Sequence, residues 1–363
     1  MKQDGFPLPP GSVIGILGGG QLGRMLAMAA ARLGFDVAVL DPEPGAPAQR
    51  LAAHAIVAPY DDPDALARLA DVSNVVTFEF ENVPARAIEI LAANGAAVAP
   101  TGRALAIAQD RLEEKRFLNA AGAPTVAFAE VASPADIVVA LEKLGRPLLI
   151  KSRRGGYDGK GQAWIEHPDE AAAVFAAVGA RPSIAEAPAD FRRELSVIAA
   201  RGRDGEIALY PLAENHHADG ILRRTVAPAA ASDAILAQAE RIAATLLAAL
   251  DYVGVIAVEL FERDDGRLLV NEFAPRVHNS GHWTLDGCEV DQFEQHIRAV
   301  AGWPLGPTHA IARVEMTNLI GEEVNEWRRL SGEPETRVWL YGKAEARPGR
   351  KMGHVNRMTP LRS

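Results

Sequence analysis

The sequence predicts an α/β N-terminal domain followed by an α+β body, and three features carry that expectation. A short apolar strand runs into a glycine turn and a helix near the start. A dense glycine loop separates two strands in the middle, and a later strand pair brackets an Asp-Asp-Gly turn. "SVIGIL" is the first strand. Gly18, Gly20 and Gly23 then spell G-x-G-x-x-G before the helical "LGRMLAMAAARL", which Gly34 ends. "FDVAVLD" is a second strand, Asp62 and Pro63 open another helix as N-cap and first residue, and "NVVTFEF" is a further buried strand. Strand and helix in alternation imply a parallel, doubly wound sheet. Asp41 lies 18 residues after Gly23, near where a ribose-binding acid follows a dinucleotide fingerprint. The same glycines serve any tight strand-to-helix turn, and the amides they expose attract any phosphate. The turn alone leaves both readings open.

At 363 residues the chain is long enough for two or three domains. Its 38 basic residues against 47 acidic ones give a net charge of −9, which lacks the basic footprint of a nucleic-acid binder. The single cysteine, Cys288, excludes an internal disulfide and suits a reducing cytosol; no motif around it marks a nucleophile. The N-terminal "MKQDGFPLPPGS" has no apolar core of a signal peptide, and the apolar run Ala171–Ala180 is too short for a bilayer. The expectation is a soluble, cytoplasmic protein with no nucleic-acid or membrane partner.

"GRALAIAQDRLEEKRFLNAAGAPT" reads as one long amphipathic segment ending at Gly122 and Pro124, a crossover into a new domain. After a helix at "PADIVVALEKL", a strand runs to Lys151, a glycine loop occupies Gly155–Gly161, and a second strand carries Trp164. This is not a Walker A loop: no Gly stands five residues before Gly159, and no Ser or Thr follows Lys160. It reads as a hairpin flap able to fold over a triphosphate, with Lys151 and Lys160 supplying charge.

In "VGVIAVELFERDDGRLLVNEFAPRVHNSGHW" two strands flank Asp264-Asp265-Gly266. A two-residue turn on Asp265-Gly266, or a four-residue loop from Asp264 to Arg267, sets Glu259 directly opposite Glu272. A three-residue loop breaks that pairing. Opposed carboxylates repel, so two of them on apolar strands call for a cation, and oxygen-only ligands suggest Mg2+ completed by nucleotide phosphates. The alternative is a pair of solvated acids on an edge, which the apolar "GVIAV" and "LLV" argue against.

Together these features resemble the ATP-grasp superfamily. Within it, "GGGQLGRM", "TFEFENVP", "GGYDGKGQ", "YPLAENHHADGILR", "NEFAPRVHNSGHWT" and "RPGRKMGHVN" resemble the N5-carboxyaminoimidazole ribonucleotide synthetases over about Val13 to Asn356. The resemblance implies an ATP-grasp fold with a Rossmann-like N-terminal domain (1–110), an ATP-grasp domain (111–305, its glycine-rich lid about 125–186) and a small C-terminal domain (306–363). The chain stops soon after "HVN", where the family is expected to continue through a further helix. The implied reaction is ATP- and bicarbonate-dependent carboxylation of the amine of 5-aminoimidazole ribonucleotide through carboxyphosphate. ATP and Mg2+, with Mn2+ as an alternative, are the implied cofactors, and a homodimer is the implied assembly.

Carried over by residue, Arg111 and Lys151 face the phosphates, and Gly156, Tyr157, Asp158, Gly159, Lys160, Gly161 and Gln162 cover them. Glu186, Ala187, Pro188 and Ala189 line the adenine pocket, Glu194 meets the ribose, and His217 and Asn271 approach the nucleotide. Glu259 and Glu272 hold the metal. Arg276 and Lys351 are the expected cations for bicarbonate and the developing carboxylate, with Tyr157 and Asp158 as substrate contacts at the flap tip. Gln21, Leu22, Glu79, Asn82, His278, Asn279, Ser280, Arg350 and Lys351 are expected around the ribonucleotide; Glu81 reads equally as a solvated strand end. His278 and His282 read as hydrogen-bonding groups, a metal site there lacking a third ligand. With ATP placed downstream, the glycine turn is left for the ribonucleotide phosphate, and Asp41 matches the ribose rule by coincidence. The competing readings are a sister enzyme using formate, a nicotinamide oxidoreductase, and a non-catalytic nucleotide sensor.

Overall fold

A computed structural model describes residues 5–155 and 161–361. The N-terminal strands β1 (Val13–Leu17), β2 (Asp36–Asp41), β3 (His54–Val57) and β4 (Val75–Phe78) pair in parallel in the order β3-β2-β1-β4. α1 (Gln21–Arg32) and α2 (Pro63–Val72) are crossovers, and α3 (Ala85–Ala93) returns the chain to a parallel bridge between Val76 and Val98. Both faces of β1, β2 and β4 are covered, which is why those strands are mostly apolar, whereas the edge strand β3 is largely exposed. Ile14, Ile16 and Val39 pack with Leu22, Met25 and Leu26 of α1, while Leu17, Leu40 and Phe78 pack with Leu66, Leu69 and Leu91. As the sequence suggests, the Asp62 carboxylate caps α2 by accepting from the amides of Asp64 and Ala65 at 3.0 Å each.

The single amphipathic segment expected next is two helices, α4 (Gly102–Ala108) and α5 (Arg111–Ala120). Asp110 divides them. Its carboxylate caps α5 through the Leu112 amide at 3.1 Å and also takes Arg153 Nε at 2.8 Å and Nη2 at 2.9 Å. The break therefore ties the start of α5 to the root of the glycine loop.

β5 (Phe128–Val131), α6 (Pro134–Leu144), β6 (Leu148–Ser152), β7 (Gln162–Ile165), α7 (Ala171–Ala177) and β8 (Ser183–Glu186) form an antiparallel lid sheet in the order β5-β8-β6-β7. The body is a nine-stranded antiparallel sheet. It contains β9 (Arg193–Arg201), β10 (Ile207–Leu209), β11 (Ala213–Ala218) and β12 (Ile221–Ala227). After α8 (Asp233–Ala249) come β13 (Gly254–Glu262) and β14 (Leu268–Ala274), and then α9 (Thr284–Gly287) and α10 (Gln292–Ala301). β15 (Ala312–Ile320), α11 (Trp327–Leu330), β16 (Thr336–Leu340) and β17 (Lys351–Pro360) follow, and their strands extend the same sheet through the β12–β15 pairing. The order is β14-β13-β9-β11-β12-β15-β17-β16, with β10 on β9, so β14 is an edge strand.

The glycine turn after β1 differs from its expected use. Gly18 adopts φ +103°, which lets the chain turn without a Cβ. The helix-end amides are then taken by the protein itself: Glu79 accepts from Gly20 at 2.5 Å and from Gly23 at 2.6 Å. Asp41 accepts from the Gly19 amide and from the Tyr60 hydroxyl, both at 2.7 Å. Two carboxylates thus occupy the donors expected to hold a phosphate, because a buried helix N-terminus is satisfied by the nearest anion. Gly23 permits the close approach, since a Cβ there would stand 2.6 Å from the Gly18 carbonyl oxygen. Gly23→Ala is therefore expected to cost about 1–3 kcal/mol of stability. A lower thermal midpoint by circular dichroism checks this, and an unchanged midpoint would refute the packing.

Candidate functional site

The β13–β14 hairpin closes with a three-residue loop, Asp264–Gly266: Arg263 donates its amide to the Arg267 carbonyl at 3.0 Å, and Gly266 has φ +76°. This is the loop length that breaks the expected register, and near the turn it does, pairing Glu262 with Leu268 and Leu260 with Val270. A bulge at Asn271 then adds one residue to β14 and restores the pairing of Glu259 with Glu272. The expected pair is present, reached by a different turn and a compensating bulge.

Like charges opposed in this way shift each other. Burial and the neighbouring Glu272 push Glu259 up to about 7. Burial also acts on Glu272, but Arg111 and Lys151 outweigh it and hold that carboxyl below its ordinary range. Arg111 Nη1 reaches Glu272 at 2.9 Å, and Lys151 Nζ reaches Glu186 at 2.7 Å. His217 Nδ1 lies 2.5 Å from Glu194; burial opposes the imidazolium, but the two carboxylates Glu194 and Glu259 raise its pKa.

Arg111, Glu259, Glu272, Arg276 and His278 line one cleft. It shares Glu81, Asn82, Arg276 and His278 with a second cleft. That cleft also gathers Gln21, Leu22, Glu79, Asn279 and Lys351, so eight of the expected substrate and cation positions meet in it. Arg276, where the clefts join, is ion-paired to Glu81 and donates to the Val277 carbonyl at 3.0 Å. Burial notwithstanding, Arg276 holds Glu81 down to about 2. Glu81 is therefore a partner of Arg276 and not a solvated strand end.

Other expected positions fall differently. Ser280 is buried and holds His278 Nδ1 at 2.9 Å instead of lining the cleft. The Asn279 amide is paired with Asn318 at 3.0 and 2.6 Å. His282 is buried against His354, with ring centroids 4.7 Å apart, and bonds Gln292, which also holds the His278 backbone. Among the described residues, no group of three or more His, Cys, Asp or Glu side chains could hold a metal by itself. Arg350 lines a neighbouring recess with Gly20, Tyr60 and Glu79. Gln162 opens β7 opposite Lys151, Gly161 just before it accepts from the Ser152 amide at 2.9 Å, and Ala187, Pro188 and Ala189 follow β8. Gly156, Tyr157, Asp158, Gly159 and Lys160 lie outside the described residues.

Three residues escape the sequence reading. Lys115 is buried, reaching the Asn271 carbonyl at 2.7 Å and Glu186 at 3.6 Å. Its spacing four residues beyond Arg111 on one helix face was the available signal. Glu114 is buried, and desolvation with Glu272 pushes its carboxyl up to about 8. Lys343 lines the Arg350 recess, and burial with Arg350 nearby lowers it to about 8. Its loop has no periodicity to mark it.

Three family models match the chain: a ribonucleotide synthetase preATP-grasp domain over residues 12–109, an ATP-grasp domain over 116–293, and a phosphoribosylaminoimidazole carboxylase C-terminal domain over 315–361. The N5-carboxyaminoimidazole ribonucleotide synthase of Brucella melitensis biotype 1 is 52% identical over 360 residues, covering 99% of each chain. The solved N5-carboxyaminoimidazole ribonucleotide synthetase of Thermus thermophilus superposes with a TM-score of 0.89 at 46% identity, covering 95% of this chain and 93% of that one. The Aspergillus clavatus enzyme, solved with ADP and 5-aminoimidazole ribonucleotide, superposes with a TM-score of 0.90 at 34% identity, covering 96% and 94%.

A pH signature follows from Glu114. Its native pKa of about 8 lies above the ordinary carboxylate value, so the native state holds the proton more tightly than the unfolded chain. Native stability is therefore lost progressively as pH rises from about 4.5 through about 8. Glu114→Gln keeps a neutral acceptor and escapes this loss. In EDTA, its advantage over the parent in urea denaturation should be larger at pH 9 than at pH 5, and a pH-independent difference would refute the assignment.

Proposed function

From the premise that the chain belongs to the N5-carboxyaminoimidazole ribonucleotide synthases of the ATP-grasp superfamily, we propose that it carboxylates the amine of 5-aminoimidazole ribonucleotide in purine biosynthesis, using ATP and bicarbonate. A bicarbonate oxygen attacks the γ-phosphorus, giving carboxyphosphate and ADP. The amine then takes the carboxyl carbon, phosphate leaves, and the nitrogen gives up a proton. The observation that carries the reading is the junction: a cleft holding opposed carboxylates and Arg111 opens at Arg276 into the cleft that gathers Gln21, Glu79 and Lys351.

On the nucleotide side, Arg111 and Lys151 would meet the phosphates under the loop from Gly156 to Gln162. Glu186 to Ala189 would line adenine, and Glu194, His217 and Asn271 would approach the rest of the nucleotide. The donors fit a hard cation: Glu259 and Glu272 are opposed carboxylates that would supply oxygen ligands, and burial and then Glu272 push Glu259 up. Mg2+, or Mn2+, held there with phosphate oxygens would neutralise charge on the triphosphate. Phosphoryl transfer rests mainly on positioning and charge neutralisation, which these cations supply.

On the ribonucleotide side, the carboxylate-filled glycine turn moves the phosphate elsewhere. Lys343 and Arg350, lining one recess beside Lys351, are the cations we assign to it. Glu79, held at the turn, and Asn82 would meet the sugar or base, with Gln21 and Leu22 beside them. Arg276 and Lys351 would face bicarbonate and the carboxyl group formed from it, because a guanidinium suits a planar carboxylate. His278 and Asn279 complete the wall, with Ser280 behind His278.

ADP release should require bicarbonate and be stimulated by the ribonucleotide, with carbamate formed, and formate should not replace bicarbonate; bicarbonate-independent turnover with no carbamate would overturn the assignment. Glu272→Ala should lower the rate by about 100-fold or more. Lys343→Ala should raise KM for the ribonucleotide by about tenfold and leave KM for ATP near the parent value. Steady-state kinetics with each substrate varied in turn separate these outcomes.

A further inference from the structure

The hairpin carries a problem of geometry that its own sequence does not solve. Its three-residue loop sets a register in which Glu259 would face Asn271, and strand alternation would then turn Glu272 to the opposite face. Only the bulge at Asn271 brings the two glutamates together. β14 is the edge strand, so its outer backbone groups have no strand beside them to fix where the bulge sits.

We propose that Glu114 and Lys115 are positioning residues that lock this bulge and so decide which face Glu272 presents. The proposal rests on the metal-binding reading of Glu259 and Glu272. Lys115 Nζ donates to the carbonyl of the bulged Asn271 at 2.7 Å. Two residues on, the Phe273 amide donates to Glu114 Oε1 at 2.8 Å. On the near side, the Val270 amide donates to the Pro124 carbonyl at 2.7 Å. Three outer groups, at positions 270, 271 and 273, are thus paired to α5 and the segment after it. Moving the bulge by one residue would break this set, since amide and carbonyl directions alternate along a strand.

The two side chains are placed for this work. Both are almost fully buried, at 3% and 2% exposure, where an unpaired charged group is costly. They are adjacent on α5, yet one accepts from β14 and the other donates to it, so together they read a backbone direction that neither reads alone. Lys115 also lies 3.6 Å from Glu186 Oε1, and Glu186 Oε2 holds Lys151 at 2.7 Å. The bulge is therefore wired through one ammonium to the carboxylate and lysine of the lid sheet. Register of the metal-facing edge and placement of Lys151 share this link.

The test compares Lys115→Met, Glu114→Leu and Glu114→Gln in the full chain. Amide hydrogen exchange of the metal-free protein is read at residues 268–274 and at β15–β17. Mn2+ affinity in the presence of ADP is read by electron paramagnetic resonance. Lys115→Met and Glu114→Leu should raise exchange at 270–274 at least tenfold, leave β15–β17 unchanged, and weaken Mn2+ binding about tenfold or more. Glu114→Gln keeps the acceptor for the Phe273 amide and should keep both properties. Parent-like exchange and affinity in the first two variants would overturn the proposal, as would a rise spread evenly over the chain. Should Lys115→Met fail to fold, the Glu114 pair decides alone. A parent protein that binds no Mn2+ with ADP would sink the metal reading, while the metal-free exchange comparison still decides the clamp.

Discussion

Glu259 and Glu272, opposed on neighbouring strands, are the constraint around which the cleft is arranged. Such a pair is unfavourable by itself, and the chain surrounds it with groups drawn from distant segments. Arg111 comes from the start of α5, Lys151 from the lid sheet, and His278 from the segment after β14, its Nε2 3.6 Å from Glu259. The asymmetry between the two carboxyls follows from geometry. Arg111 bonds Glu272 directly, while Glu259 faces a histidine whose own pKa burial and then Arg276 and Lys351 hold low. One carboxyl is thereby held ionised, and the other is held toward its protonated form.

The opening glycines show why a motif names a geometry and not a ligand. G-x-G-x-x-G correctly marks a strand-to-helix turn with exposed amides, and Gly18 and Gly23 meet the steric demands of that turn. What the amides hold is decided elsewhere. Glu79 lies 59 positions from Gly20 in sequence and Asp41 lies 22 from Gly19, so no local pattern could reveal that the turn is filled from within. Once Asp41 is engaged with Gly19 and Tyr60, it is not available as a ribose acceptor, and the dinucleotide reading loses both of its supports.

The same division runs through the rest of the chain. Alternating strands and helices, the Asp62 cap and the flap strands were legible because each is set by residues a few positions apart. The break at Asp110 was not, because the aspartate is held partly by Arg153, 43 positions away. The Glu259–Glu272 pair is legible from a two- or four-residue turn, yet the hairpin closes with a three-residue loop. A one-residue error at the turn and a one-residue bulge cancelled. A bulge pinned by α5, more than 150 positions earlier, leaves no mark in the hairpin's own sequence.

The cations of the site are also not waiting bare for their ligands. Arg111 is paired to Glu272, Lys151 to Glu186 and Arg276 to Glu81. In each case, a cation is matched to a carboxylate that itself lines the cleft or is buried beside it. Burying the cations unpaired would cost several kcal/mol each, so the fold stores them as ion pairs. Under the proposed function, phosphate oxygens would replace a carboxylate on arginine or lysine, and the released carboxylate would turn to a cation or an amine, so that little net charge would be buried anew when a nucleotide enters. That exchange requires both partners of a pair to lie within reach of the same ligand. The junction at Arg276, where Glu81 and His278 border both clefts, has the geometry that condition would need for the two substrates of the proposed reaction.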